Sequence, residues 1–295
     1  MHQNSLKTAA LLAGLGGLII GVAGVLGGGS TNALILGLVL ALVMVGGSYW
    51  FSDRLALRAA NAAVVTAHDE PQLVATVARL AERADLPMPT VAVCPDPQPN
   101  AFATGRGPRH AVVCVSRGLL EYLPPDEIEA VMAHELIHVR HRDILIGSVA
   151  AAIATAISFV ANMALWSGMM GGEDEEGASP FGLLAAGLLA PIAASLLQMA
   201  VSRSREFDAD RGAAELIGSG EPLARALQRI EALASRIPMD VAPTQAHASI
   251  HNPLAEARGG DRRGPDMARL FSTHPPTDER IRRLLTEHPA LPLAP

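Results

Sequence analysis

The 295-residue sequence predicts a mainly α-helical membrane protein with a small β component, four transmembrane helices and a polar domain assembled from two separated stretches of chain. Three observations carry this expectation. Only 18% of residues are charged and the mean hydropathy is positive, unusual for a water-soluble chain of this size. The apolar excess is concentrated in four uncharged stretches. Between them lie segments with apolar residues at helical spacing and short β-branched runs.

In chain order, residues 8–29 and 32–51 are uncharged and rich in Leu, Ile, Val, Ala and Gly, each long enough as a helix to cross about 30 Å of hydrocarbon. Gly27 to Thr31 gives a tight hairpin between them. A signal peptide is the rival reading of the first run, because Lys7 precedes an apolar core and small residues follow; the immediate second run argues against it. Residues 52–66 read as a helical extension of the second span, and 69–86 as an amphipathic helix with Leu73, Val74, Val77, Leu80 and Ala81 on one face. Met88 to Val93 and Ala111 to Val115 read as strands, and Asn100-Ala101-Phe102-Ala103-Thr104 between them can be extended before turning at Gly105 and Gly107. Helix 125–142 follows: Pro124 and Pro125 suit its start, Asp126 and Glu127 its first turn, and Ile128, Val131, Met132, Leu136 and Val139 form its apolar stripe. Ile144 to Gly172 and Gly177 to Ser202 supply the third and fourth spans, joined by an acidic loop. Helices from Ser202 to Ile217, from Pro222 to about Ser235, and over 276–287 complete the chain, with residues 236–266 a Pro- and Gly-rich loop. The domains are therefore an N-terminal hairpin (1–52), a second hairpin (144–201, with its acidic loop at 171–179), and a polar domain made from 53–143 and 202–290.

Lys7, Arg54, Arg58, Arg140, Arg142, Arg203 and Arg205 all flank the spans on one side, whereas the opposite loops carry no Lys or Arg and one holds Glu-Asp-Glu-Glu at 173–176. Positive charge stays on the cytoplasmic side, so both termini and the polar domain are expected there. The net charge of -6, with no basic stripe beyond these arginines, argues against a nucleic-acid partner. Cys94 and Cys114 fall in strand-like runs and are expected to be buried reduced thiols, since they are not spaced as metal ligands.

Chemistry concentrates in His134-Glu135-Leu136-Ile137-His138. Residues four apart on a helix lie one turn above each other, so His134 and His138 can bind one Zn²⁺ while Glu135 beside them activates a water. A catalytic zinc normally takes three protein ligands. The leading candidate for the third is Glu206 in Glu206-Phe-Asp-Ala-Asp210, with Asp210, on the same helix face, accepting the second ring N–H of one histidine. Asp208, His141 and His110 are the alternatives, and a solvated acidic helix start is the non-functional reading of the segment.

The order of two N-terminal spans, Pro99-Asn-Ala-Phe-Ala-Thr-Gly105, His134-Glu-Leu-Ile-His138, two further apolar segments, Glu206-Phe-Asp-Ala-Asp210 and Ser272-Thr-His-Pro-Pro-Thr-Asp-Glu-Arg280 resembles the HtpX family of bacterial membrane zinc metallopeptidases, relatives of the CAAX prenyl proteases. The resemblance covers nearly the whole chain except the loop 236–266. It implies a gluzincin-type site with one Zn²⁺ held by His134, His138 and Glu206, and Glu135 as catalytic base. It also implies a multi-pass protease of the bacterial cytoplasmic membrane, its site facing the cytoplasm, that degrades unfolded or damaged membrane proteins under stress and overlaps with other membrane quality-control proteases. In that chemistry Glu135 takes a proton from the attacking water and returns it to the leaving amine, while Zn²⁺ supplies Lewis acidity. His274 and Arg280 have two readings, as positive charge for the oxyanion or as a helix cap and a salt bridge. Asn100, Ala101, Phe102 and Ala103 are expected, mostly through the resemblance, to form an edge strand that takes extended substrate by main-chain pairing, the rival being an ordinary loop with Phe102 in the core. Two other functions stay open: a CAAX-type peptidase, which would need a larger intramembrane chamber, and a catalytically idle zinc-binding assembly factor, which would not need Glu135.

Overall fold

The computed structural model describes residues 29–144, 203–234, 236–237 and 275–289, together with residues 13, 14, 16, 17, 19 and 20. It opens with two helices, α1 (Thr31–Trp50) and α2 (Ser52–Ala59). The predicted continuation of α2 to residue 66 does not form: Asn61 takes a left-handed conformation (φ 49), and Ala63–Val64 becomes strand β1. Asn tolerates that conformation because its short side chain bonds locally. Helix α3 (Pro71–Arg83) follows with Pro at its first turn and buries Leu73, Val77, Leu80 and Ala81, most of the predicted face.

Strands β2 (Thr90–Cys94), β3 (Ala101–Gly105) and β4 (Ala111–Ser116) join β1 in one sheet of order β1-β2-β4-β3. β2 pairs β4 in parallel, and β3 pairs β4 antiparallel with Phe102 opposite Cys114 and Ala103 opposite Val113. The predicted strand at 88–93 is thus shifted to 90–94. β3 closes one edge of the sheet, pairing with no other described strand. Gly105 is needed at its end: its φ is +123, and a Cβ there would meet the His110 carbonyl oxygen. A short helix α4 (Arg117–Tyr122), capped by the Ser116 hydroxyl accepting from the Leu119 amide, was not foreseen.

Helix α5 (Pro125–His141) crosses the middle of the molecule. The sequence predicts one apolar stripe, yet nearly the whole helix from Ala130 to Val139 is buried, because it is covered by the sheet and α3 on one side and by two later helices on the other. Those helices are α6 (Arg203–Ile217) and α7 (Glu221–Ala234), and α8 (Thr277–Glu287) packs against both of them. Gly212 lets α6 approach closely: a Cβ there would lie 2.9 Å from Ile137 Cγ2. Arg229 of α7 holds Glu127 at 2.8 and 3.1 Å, and Arg225 holds Asp126, tying α7 to the start of α5. The main core gathers Val77, Leu80, Val113, Val115, Leu119, Met132, Leu136, Leu223, Ile230 and Leu284, each of whose burial contributes roughly 1.5–3 kcal/mol. A smaller cluster on the other sheet face holds Ala92, Cys94, Val112 and Cys114. Both cysteines are buried free thiols, as expected.

Among the described residues, no helix satisfies length and hydropathy together as a membrane span. α1 comes nearest, with 20 residues, no charged side chain, and Leu36, Leu42 and Val43 exposed. The expected third span beyond Ile144, the fourth span, the acidic loop 171–179, most of the first span and nearly all of the loop 236–266 lie outside the described residues.

Candidate metal centre

The H-E-x-x-H residues sit in the buried second half of α5, where helical spacing stacks His134 beneath His138. Their Nε2 atoms face each other at 3.1 Å. The first turns of α6 bring Glu206 against the pair, with carboxylate oxygens 3.8 Å from His134 Nε2 and 3.6 Å from His138 Nε2. One ligand atom from each of these three residues lies within 4.8 Å of the others, the grouping among the described residues that could hold a metal ion.

Two imidazole nitrogens 3.1 Å apart beside a buried carboxylate make a donor set suited to a divalent cation. Bonds of about 2.0–2.2 Å in a tetrahedral site put neighbouring donors roughly 3.3 Å apart, and separations of 3.1–3.8 Å bracket that value. The residues present therefore fit a tetrahedral divalent metal with room for one further ligand.

Of the alternative ligands, Asp208 is solvent-exposed and paired with Arg211 at 2.7 Å, and His110 lies exposed in the turn before β4. Neither they nor His141 join the grouping. Glu135 is 5% exposed, and its charge acts on both His138 and Arg280, which places it beside the cluster.

The ring edges pointing away from the cluster meet carboxylates. His134 Nδ1 lies 3.1 Å from Asp210, as the four-residue spacing from Glu206 predicts. Asp210 accepts two hydrogen bonds from Arg280, at 2.8 Å from Nε and 2.7 Å from Nη2. Burial pushes the Asp210 carboxyl up, but the Arg280 guanidinium and the His134 contact outweigh it and hold the group down at about 2. Burial likewise opposes the charge on Arg280, while Asp210, Glu206 and Glu135 raise it further. Arg280 thus makes the salt bridge of one of its two readings, and its Nη1 also comes within 3.6 Å of Glu206, beside the candidate metal ligands. His138 Nδ1 lies 3.3 Å from Asp143. Burial pushes this imidazole down, yet the Asp143 hydrogen bond and the charges of Glu206 and Glu135 leave it up at about 9.

Asp143 escapes a reading of the motif because it lies past the helix end, where Arg142 turns left-handed (φ 61) and swings the chain back towards His138. The clue available was a carboxylate close behind the second histidine. Ala101 to Ala103 lie on β3, against α5, and Phe102 packs half-buried on the sheet's other face beside Ala92 and Cys114. The segment is a strand, and Phe102 is also a packing residue. His274 lies outside the described residues.

A histidine pair on one helix, completed by a carboxylate from a second and backed by buried acids, with a glutamate inside the motif, defines a metal-dependent peptidase site. The family model described as Peptidase family M48 matches residues 67–288, which contain the whole of this site. Curated relatives described as "Protease HtpX homolog" are similar over nearly the full chain: 45% identity in Syntrophobacter fumaroxidans, covering 94% of this chain and 97% of that one; 46% in a Nostoc species, covering 98% of each; and 47% in Burkholderia ambifaria, covering 96% of each. The chain belongs to peptidase family M48 and, within it, to the HtpX proteases. A crystal structure of Ste24p from S. mikatae overlaps with a TM-score of 0.49 at 19% identity, over 96% of this chain and 65% of that one.

Proposed function

We propose that the metal is zinc, one ion per chain, held by His134, His138 and Glu206, and that the protein is an endopeptidase of the bacterial cytoplasmic membrane cleaving unfolded or damaged membrane proteins. The convergence of the three ligand atoms with buried Glu135 beside them is the observation that carries this reading. Zinc bound there would supply Lewis acidity to a carbonyl and lower the pKa of water. Glu135 takes the water proton and delivers it to the leaving amine. Asp210 holds the His134 imidazole with its Nδ1 edge turned from the cluster, leaving Nε2 to face Glu206. Arg280, fixed by Asp210, brings positive charge to the cluster's edge, and His274 is assigned a similar role from sequence alone.

The outer edge of β3 is the proposed substrate rail. Ser116 N–H donates to Asn100 C=O, so by antiparallel alternation Phe102 and Thr104 also bond inward to β4 while the amides of Ala101 and Ala103 point outward. Main-chain pairing there is sequence-tolerant, as capture of unfolded polypeptide requires. The membrane setting is supported by the uncharged α1, with Trp50 and Phe51 exposed at its end and Arg54 stacked on Phe51. The four-span topology, the division into 1–52, 53–143 with 202–290, and 144–201, and the cytoplasmic orientation rest on apolar runs and arginine placement.

The deciding experiment strips the metal from purified protein, restores Zn²⁺, and compares wild type with Glu135→Gln on an unfolded and a folded membrane substrate. Glu135→Gln is expected to keep the metal and lose turnover by roughly 10²–10⁴-fold. Cleavage by that variant at a near-normal rate would refute the assignment, and indifference to substrate folding would refute the quality-control role.

A further inference from the structure

The two histidines are backed in parallel ways, one of which the chemistry above does not use. On His134 the chain of contacts runs to Asp210 and on to Arg280. On His138 it runs to Asp143 Oδ2 at 3.3 Å, and the other oxygen of Asp143 lies 3.8 Å from Arg205 Nε. Arg205 directly precedes Glu206 on α6, and Asp143 lies just beyond the end of α5. Both side chains are removed from water, 7% exposed for Asp143 and 11% for Arg205. Arg205 Nη1 and Nη2 are buried without a hydrogen bond among the described residues, so the carboxylates beside the guanidinium are what offsets its burial. Burial pushes Arg205 down and the charges of Asp143 and Glu206 partly restore it.

We infer that Asp143 and Arg205 are positioning residues for the metal centre: Asp143 fixes the His138 ring so that Nε2 faces Glu206, and Arg205 fixes Asp143 to the helix that carries Glu206. The consequence is geometric. His138 and Glu206 belong to different helices, and a carboxylate–guanidinium link one residue from Glu206 locks their separation before any ion arrives. Partners of this kind orient a ligand ring and select its tautomer, and losing one typically weakens metal binding by roughly 10–100-fold.

This inference rests on the ligand set proposed above, and the test separates the two. Full-length protein in detergent is stripped of metal and titrated with Zn²⁺ against a chelating fluorophore; the visible spectrum of the Co²⁺-loaded protein reports ligand geometry, and a thermal melt without metal reports folding. Asp143→Ala is expected to weaken Zn²⁺ binding roughly 10–100-fold and to shift the Co²⁺ bands. Arg205→Ala should weaken it in the same direction, Arg205→Lys should recover part of the loss, and the double variant should bind no more weakly than Asp143→Ala alone. Arg211→Ala, which removes an exposed pair on the same helix, should leave affinity and spectrum unchanged. Should Asp143→Ala melt early, Asp143→Asn keeps the side-chain size and is read in its place. Wild-type affinity and spectrum in both single variants, or fully additive losses in the double, overturn the link. If His138→Ala abolishes binding while the Asp143 variants bind normally, only the link falls; if His138→Ala binds Zn²⁺ like wild type, the ligand set falls and the link with it.

Discussion

Arg280 is a fully buried guanidinium whose position is justified by Asp210, with which it shares two hydrogen bonds. Removing one partner of a buried pair leaves the other charge stranded, so Arg280→Ala should cost about 3–5 kcal/mol and lower the melting temperature together with turnover. Unchanged melting with lost turnover would assign Arg280 to catalysis alone. Asp210 also fixes an acid limit. Its carboxyl is held at about 2, below the ordinary 3.8, so its contribution is complete above pH 3.8 and is lost as pH falls through 2. Wild type should lose about 2 kcal/mol over that interval that Asp210→Asn does not lose, measured as the difference between their unfolding curves. At this scale the sequence showed His134, Glu135, His138, Glu206 and Asp210, because helical spacing converts residue number into a shared face. Asp143 and Arg205 stayed hidden because their juxtaposition depends on the left-handed turn at Arg142 and on how α6 meets α5.

Helices α5 and α6 form the site only where they touch closely, and Gly212 opposite Ile137 sets that approach. The alternation of amides along β3 gives a clean probe of the proposed substrate rail. Ala103→Pro removes an outward amide and spares the bonds to β4, so KM for an unfolded substrate should rise several-fold with little change in melting temperature. An unchanged KM would count against the rail. Proline at residue 102 should instead damage the sheet, because that amide faces β4. Element types were mostly legible in the sequence, since amphipathic spacing in α3 and α7 and β-branching in β4 are local properties. The end of α2 at Asn61 and the two-residue β1 were not, because β1 exists through its pairing to β2 rather than through any preference of Ala63 and Val64.

Across the whole molecule, the proposed ion joins α5, in the first half of the chain, to α6, separated from it by the two central apolar runs. Binding to the folded state alone stabilises it by RT ln(1 + [L]/Kd), about 4 kcal/mol at a thousandfold excess over Kd. Chelation should therefore lower the melting temperature as well as abolish activity, and Zn²⁺ should restore both. His138→Ala should melt at the same temperature with and without Zn²⁺; a continued response to metal would place the ion elsewhere. What the sequence by itself determined were the ligand types, a glutamate placed to act as the proposed base, an acidic partner for one of the two histidines, and the family, all carried by short motifs and their order along the chain. Only the tertiary structure decided that Glu206 reaches both Nε2 atoms, that Asp210 backs His134, that Arg280 closes on Asp210, and that Asp143 meets Arg205. Each of these contacts spans separate elements, and their distance is set by packing, which no local pattern in the chain records.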